Sequence, residues 1–116
     1  MKELIAIQEW DNHTAHKHVF VDNDTIIATV TVNVFKENPV KTFESLWVKP
    51  ELRRLGIATI ILNDIVEMPM ACLVKKDNDI AIRLYEKHDF DYWYDEDEDY
   101  IWMKNFIEDE DNNTQQ

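Results

Sequence analysis

Residues 42–67 read TFESLWVKPELRRLGIATIILNDIVE, and the rest of the chain is organised around them. Residues 43–48 are a short apolar and aromatic run, which predicts a β-strand. Residues 49–55 are mostly polar, contain a proline and carry two adjacent arginines, which predicts a turn. The apolar residues that follow recur at helical spacing as far as Pro69, and they predict a helix over residues 57–67: Ile57, Ile60, Ile61 and Ile65.

Gly56 is the single glycine among 116 residues, whereas an average chain of this length has about eight. It stands where the turn meets the helix, and a missing side chain there lets a ligand approach the backbone closely. A helix start offers unpaired N–H groups and partial positive charge, which suit a phosphate. Arg53 and Arg54 add guanidinium donors beside it. The same residues also fit a tight turn before a packed helix, with both arginines on the surface.

Two motifs in this half of the chain resemble those of a known family. Residues 53–58 (RRLGIA) resemble Arg/Gln-x-x-Gly-x-Gly/Ala, the acetyl-CoA signature of the GCN5-related N-acetyltransferases (GNAT), with Ala58 in place of the second glycine. Residues 78–90 (NDIAIRLYEKHDF) resemble that family's Asn-x-x-Ala-x-x-Leu-Tyr-x-x-x-Gly-Phe, and residues 100–104 resemble its last strand. Asp89 departs from the second motif, because it replaces a glycine at a position that often has positive φ.

The remaining patterns predict strands that fit the same family. Strands are predicted at residues 2–10, 18–21, 25–35, 70–74, 90–94 and 100–106, with a polar connection at 11–17 and a tight turn at 22–24. A second helix, capped by Asn78, places its apolar residues on one face: Ile80, Ala81, Leu84 and Tyr85. This order implies an α+β, GNAT-like fold with a mixed, mostly antiparallel sheet of six to seven strands and two main helices.

The domain organisation follows from the same order of elements. We expect one domain over residues 1–106 and an acidic, disordered tail over residues 107–116. The family usually places two helices between its first and second strands, whereas only residues 11–17 are available here. We therefore expect an acceptor side that is open, or that is completed by a second subunit in a homodimer or by the acceptor itself.

The resemblance implies acetyl-CoA as the co-substrate, lying between the fourth and fifth strands. The backbone of Leu46, Trp47 and Val48 would hold its pantetheine arm, and Asn78 would reach the same arm. Backbone N–H groups around the helix start would hold its pyrophosphate: Arg53, Arg54, Leu55, Gly56, Ile57, Ala58 and Thr59.

The resemblance also implies Tyr85 as the general acid that protonates the leaving thiolate. A tyrosine with a pKa near 10 keeps its proton at pH 7 and can donate it. The alternative for Tyr85 is an aromatic core residue. An acceptor amine with a pKa of about 10.4 is only about 0.04% neutral at pH 7, so a base must take its proton. Glu44, early in the core strand, is the candidate base, directly or through water; the alternative is a solvent-facing strand residue.

The charge of the chain is strongly and unevenly negative. The formal net charge is −12; residues 91–116 hold ten acids and one base, for a net −9, and residues 1–90 total −3. This balance argues against nucleic-acid binding and favours a basic acceptor or a basic protein partner.

Several classes of protein and site are not expected from the sequence. No apolar run of 18 residues and no signal-peptide pattern occurs, so we expect no membrane contact. Cys72 stands alone among apolar neighbours, which fits a buried thiol in the cytoplasm. His13, His16 and His18 lack accompanying cysteines or carboxylates in a helical register, so we expect exposed loop histidines and no metal site.

The sequence therefore predicts an acetyl-CoA-dependent N-acetyltransferase. A primary amine attacks the thioester directly, and the acidic C-terminal quarter favours a protein lysine, a protein N-terminus or another basic acceptor. One alternative is an enzyme for a small, polyamine-like amine. Another is a non-catalytic acidic binding protein that blocks a basic site on a partner.

Overall fold

The computed structural model describes residues 2–108, and side chains from residue 6 onward. These residues form seven strands and two α-helices: β1 (Lys2–Glu9), β2 (His13–Asp22), β3 (Thr25–Phe35), β4 (Lys41–Val48), α1 (Ile57–Ile65), β5 (Met70–Lys75), α2 (Asp79–Lys87), β6 (Asp91–Asp95) and β7 (Tyr100–Lys104). The strands form one sheet in the order β1-β2-β3-β4-β5-β7-β6. Only β4 and β5 are parallel, so the α+β fold with a mostly antiparallel sheet is confirmed. Most of the predicted tail, residues 109–116, lies outside the described residues.

The start of β2 corrects the sequence analysis. Residues 11–17 were predicted as a polar connection, but β2 begins at His13, and Lys17 pairs with Ala6 of β1 and Thr31 of β3. Pairing on both edges stabilises a strand whose own side chains are polar, because the backbone supplies the hydrogen bonds. Three residues, 10–12, connect β1 to β2, so the family's two usual helices are absent there.

The three histidines consequently lie on a strand. His13, His16 and His18 are half-buried residues of β2, and not the exposed loop residues that the sequence predicted. Within residues 2–108, no group of three or more His, Cys, Asp or Glu side chains could hold a metal ion. No helix of this part of the chain is long and apolar enough to cross a bilayer.

Both helices pack on the same face of the sheet. Buried residues of α1 and α2 share one core with Phe43, Cys72 and Met103 of the sheet, and Nε2 of His88 lies 3.2 Å from Oδ1 of Asn63 in α1. The buried thiol of Cys72 was predicted, and it is confirmed. The predicted apolar faces are only partly buried, because Ile60 and Ile80 are exposed near the starts of the two helices.

The opposite face of the sheet is formed by alternate residues of the same strands. Lys17 of β2 and Glu44 of β4 both lie opposite Thr31 of β3, and Ala15 and Thr42 both lie opposite Asn33. Neither of the two helices packs on this face, because both share the core on the other side. The sheet therefore has one face that the helices cover, the helix-covered face, and one that they leave uncovered, the open face.

The end of α2 confirms the positive φ expected at Asp89, which is 72°. Asp89 N–H donates to the Glu86 carbonyl, Phe90 N–H donates to the Tyr85 carbonyl, and the rings of Tyr85 and Phe90 are in contact. This is the Schellman ending of a helix, in which glycine normally occupies the left-handed position.

We expect Asp89→Gly to raise the free energy of unfolding by about 0.5–1 kcal/mol, because it relieves left-handed strain at the cost of some unfolded-state entropy. Glu86→Gly, in the last turn of the same helix, should lower it by about 1 kcal/mol. Urea denaturation measures both changes, and a destabilised Asp89→Gly variant would show that the aspartate side chain has another structural role.

Candidate active site

A gap opens in the sheet between β4 and β5. The two strands pair only at Lys41–Met70, Thr42–Ala71 and Phe43–Cys72. Beyond this point β4 contains a bulge, because Thr29 and Thr31 of β3 lie opposite Trp47 and Glu44. Ser45, inside the bulge, has a φ of 57°. Because a bulge bends its strand, the second half of β4 is unpaired on its β5 side.

The register of β4 shows which backbone groups line this gap. Lys49 N–H donates to the Ile27 carbonyl at 2.8 Å. Hydrogen-bonded pairs alternate along an antiparallel ladder, so the N–H and C=O of Trp47 also face β3. Those of Leu46 and Val48 face the gap. Arg53 Nε donates to the Val48 carbonyl at 2.8 Å, which ties the following loop to the end of β4.

The loop after β4 ends at an open helix N-terminus. A 3-10 turn (Pro50–Leu52) leads to Arg54, with φ of 69°, and Gly56, with φ of 82°. Gly56 is the N-cap of α1 and no side chain caps the helix, so its first N–H groups lie free of intrahelical partners. A Cβ built on Gly56 would meet no atom of residues 2–108 within 4 Å. The glycine is therefore required by its φ, and the space beside it is free for a ligand.

Exposed apolar side chains surround this end of the sheet. β4 and β5 are parallel, so their carboxyl ends, and the starts of the two helices that follow them, lie at the same edge. Trp47, Leu55, Ile60 and Ile80 belong to these segments and are all exposed. Asn78 is the N-cap of α2, and its Oδ1 accepts a hydrogen bond from Ala81 N–H at 3.1 Å. The predicted cap is thus confirmed, and its amide nitrogen is left to donate.

Tyr85 lies on the helix-covered face beside the gap. Its ring contacts Phe43 edge-on at 5.3 Å, and the residue is only 5% exposed. Within the described chain, the hydroxyl of Tyr85 has no hydrogen-bond partner. Every fully enclosed side-chain oxygen or nitrogen of this part of the chain does have a partner. The hydroxyl is therefore not fully enclosed, and a ligand can reach it. Burial, with a smaller effect of Cys72, raises the pKa of Tyr85 above its usual value. The phenol therefore stays protonated at neutral pH.

Glu44 lies on the open face, one residue after Phe43, which is the last residue of β4 that pairs with β5. Its neighbour Phe43 contacts Tyr85 on the other side of the sheet, and successive strand residues point to opposite faces. Glu44 and Tyr85 therefore lie on opposite sides of the gap. Glu44 is half-buried and stands at one end of a groove of about 500 Å³ on the open face.

Sequence reasoning did not single out the other residues of this groove. It is lined by side chains from four strands and the β1–β2 turn, among them Trp10, His13, Lys17, Thr31 and Asn33. Asn33 is one of the polar residues that alternate with valines from Thr29 to Val34, and it is the one buried polar side chain of the described chain. This alternation places Thr31 and Asn33 on one face of the strand, and it was the available signal.

The comparisons with known proteins agree on the family. Residues 1–90 match the family model described as Acetyltransferase (GNAT) family. No curated protein sequence matches the chain. Among solved structures, an acetyltransferase from Thermus thermophilus has a TM-score of 0.69 and 11% identity, over 78% of this chain and 62% of that one.

Two further structures show the same fold. Naa50 from Arabidopsis thaliana, in complex with the bisubstrate analogue CoA-Ac-MVNAL, has a TM-score of 0.66 and 19% identity, over 78% of this chain and 72% of that one. The Campylobacter jejuni N-acetyltransferase PseH has a TM-score of 0.60 and 26% identity, over 78% of this chain and 66% of that one. The chain thus spans less than two thirds of the Thermus and Campylobacter structures.

Proposed function

The chain belongs to the GNAT family of acetyltransferases, and on that premise we propose that it moves an acetyl group from acetyl-CoA to a primary amine. The observation that carries this proposal is the gap between β4 and β5, which has an accessible phenol on one side of the sheet and a carboxylate on the other. A binding protein without chemistry has no need of this arrangement.

The residues around the gap fit acetyl-CoA as the co-substrate. We propose that the pantetheine arm binds the backbone of Leu46 and Val48, in the place that a longer β5 would occupy. The amide nitrogen of Asn78 donates to the same arm. The pyrophosphate is assigned to the open N-terminus of α1 at Gly56, where the helix start and the two arginines favour an anion. The exposed apolar residues at this edge, such as Trp47 and Ile80, would be covered by the bound molecule.

Acetyl-CoA would supply the thioester, and the chain would supply a base for the amine and a hydrogen-bond donor for the sulfur. The amine forms a C–N bond to the acetyl carbon and the C–S bond breaks. Glu44 takes the proton of the amine, directly or through water, on the open face. Tyr85 donates a hydrogen bond to the departing sulfur on the helix-covered face, so CoA leaves as a thiolate that takes its proton from solvent. Because burial raises the pKa of Tyr85, its hydroxyl acts as a hydrogen-bond donor that stabilises the sulfur more readily than it gives the proton away.

The acceptor that we propose is an amine on a protein or peptide: a lysine side chain, an N-terminus or another basic group. The net charge of −12 favours approach of a basic acceptor. The open face, with three residues between β1 and β2, leaves room for a chain to lie across the sheet. Naa50 from Arabidopsis, a structural relative, was solved with an analogue that joins CoA to a peptide.

We expect Glu44→Gln to lower kcat at pH 7 by about 100-fold for an amine with a pKa near 10, because the variant cannot take a proton. An acceptor amine with a pKa near 7 is already half neutral, so the loss should shrink to a few-fold. Steady-state rates with a series of amines of graded pKa measure this. Thr42→Ser, a conservative change on the same strand and face, is the control. An equal loss for all amines would show that Glu44 positions the acceptor and takes no proton.

A further inference from the structure

We propose that the groove on the open face is the acceptor site, and that it binds an extended peptide whose amine lies at Glu44 and whose aromatic or large apolar side chain lies against Trp10. This rests on the proposed function, since it names the acceptor of the same reaction. Three features of the groove support this proposal: its aromatic end, its end at Glu44, and the polar floor between them.

The far end of the groove is an aromatic ladder, defined as Trp10, His13 and Phe35. The rings of Trp10 and His13 are stacked at 4.6 Å with an interplanar angle of 5°, and those of His13 and Phe35 are stacked at 5.1 Å. Asn12 Oδ1 lies 2.8 Å from Nδ1 of His13, which orients the central ring. Trp10 remains 43% exposed. The ladder is a rigid, open surface on which another flat or apolar group can stack.

The floor between the two ends suits a peptide backbone. Asn33 is only 8% exposed, and its Nδ2 donates to Thr42 Oγ1 at 3.1 Å. In the described chain its Oδ1 has no hydrogen-bond partner, so it is free to accept from a ligand N–H. Thr31 and Gln8 add further polar groups to the lining. A polyamine has no carbonyl groups for such a floor, whereas a peptide has one donor and one acceptor in most residues.

The charges of the groove also separate a peptide from a polyamine. Among the side chains that the structure describes, Glu44 is the one carboxylate in the lining, and Lys17, opposite the same residue of β3, is the one ammonium. A ligand with several positive charges would meet one favourable partner and one repulsive one. A ligand with a single amine at Glu44 and neutral residues elsewhere places no second positive charge beside Lys17.

The length of the groove sets the spacing between the two recognised groups. Glu44 lies opposite Thr31, and His13 lies opposite Phe35. Four residues along β3 and two strand spacings across the sheet place Glu44 about 16 Å from His13, the central ring of the ladder on which Trp10 is stacked. An extended chain covers about 3.3–3.6 Å per residue, so the separation is about five residues. A small neutral metabolite cannot reach both ends.

The test is a series of probe peptides with acetyl-CoA. Each is an acetylated and amidated heptapeptide with one lysine at the first position and one phenylalanine moved through positions 2–7, the rest being alanine and serine. A parallel series has a free N-terminus and no lysine, and spermidine is the third probe. We expect kcat/KM to peak with phenylalanine four to five residues from the reactive amine, by about 3- to 10-fold, the range of one aromatic contact.

Two variants, each at an aromatic residue of similar exposure, test whether the dependence on phenylalanine position comes from Trp10. Trp10→Ala should abolish the dependence on phenylalanine position, while leaving the KM of acetyl-CoA unchanged. Tyr94→Ala, which removes an aromatic residue 45% exposed on β6, should preserve it. A rate that is independent of phenylalanine position, or a preference for spermidine over every peptide, would overturn the proposal. If kcat/KM peaks in the lysine series, the acceptor is a lysine side chain; if it peaks in the series with a free N-terminus, the acceptor is an N-terminal amine.

Failure of the chemistry is distinguished from failure of the groove by a direct binding measurement. If acetyl-CoA binds but no probe is acetylated, the proposed function is wrong. Fluorescence anisotropy of the labelled heptapeptide with phenylalanine at position 5 then tests the groove alone. Binding that Trp10→Ala removes and Tyr94→Ala keeps would support the groove, and absence of binding would overturn it.

Discussion

Tyr85→Phe should lower kcat by about 100-fold or more, while the protein stays as stable as the parent chain. The change removes only the hydroxyl, which has no hydrogen-bond partner in the described chain, and it keeps the ring that packs on Phe43. Loss of one hydrogen-bond donor to charge that develops in the transition state costs about 10²- to 10³-fold in kcat. Urea denaturation and steady-state kinetics on the same preparation separate stability from catalysis.

The pH dependence gives a second readout for the same residue. Because burial raises the pKa of Tyr85 above 10, the phenol is protonated throughout the range in which the enzyme is assayed. The wild type should therefore show no alkaline decline of kcat from Tyr85 below pH 10, and Tyr85→Phe should keep the shape of the profile at a lower level. A full rate in Tyr85→Phe would mean that Tyr85 is a core residue only, which its burial also fits.

Gly56→Asp should weaken acetyl-CoA binding by at least about 30-fold relative to Gly56→Asn. The two side chains have nearly the same shape and both tolerate a left-handed φ, which is 82° at Gly56. They differ in charge, and a carboxylate close to the pyrophosphate costs about 2 kcal/mol or more at the effective dielectric of a protein surface. Isothermal titration at low ionic strength, where charges are least screened, measures the difference.

The asparagine variant serves as the control for backbone strain. Both variants should lose a similar, small amount of stability in urea, since the φ is the same and no atom of the described chain lies within 4 Å of the added Cβ. Equal affinities of the two variants would place the pyrophosphate away from Gly56 and contradict the assignment. A stronger loss at high salt than at low salt would also contradict it, because screening weakens repulsion.

The sequence predicted the centre of the fold because its local signals were strong. β4 and α1 follow from two apolar runs separated by a turn, and the single glycine marks the junction. The Asn78 cap and the positive φ at Asp89 follow from residue types with defined backbone preferences. These features depend on a few neighbouring residues, so no knowledge of tertiary contacts was needed.

Features that depend on pairing between strands were missed. The first half of β2 is polar and has no apolar alternation, and it becomes a strand because β1 and β3 both pair with it. The exposure of Ile60 and Ile80 reflects the open edge above the gap, which periodicity cannot show. The bulge at Ser45 shifts the alternation of β4, so that Leu46 and Val48 line the gap, and nothing in FESLWV marks that position.

The sequence could not predict the groove either, because the groove also depends on pairing between strands. Trp10, Asn33 and Glu44 come from the β1–β2 turn and two different strands, and only the register brings them onto one face. The sequence predicted an open acceptor side from the missing helices. It could not show that the uncovered sheet presents an aromatic ladder at one end and a carboxylate at the other.

The melting temperature with and without acetyl-CoA tests the central claim most directly. A ligand at 100 times its Kd adds about 2.7 kcal/mol, which raises Tm by roughly 10 °C in a domain of this size. ATP, which shares the adenine and phosphates but lacks the pantetheine arm, should give a much smaller shift. No shift at millimolar acetyl-CoA, or an equal shift with ATP, would contradict a CoA site in the gap. The absence of any shift would favour an acidic binding protein with the same fold.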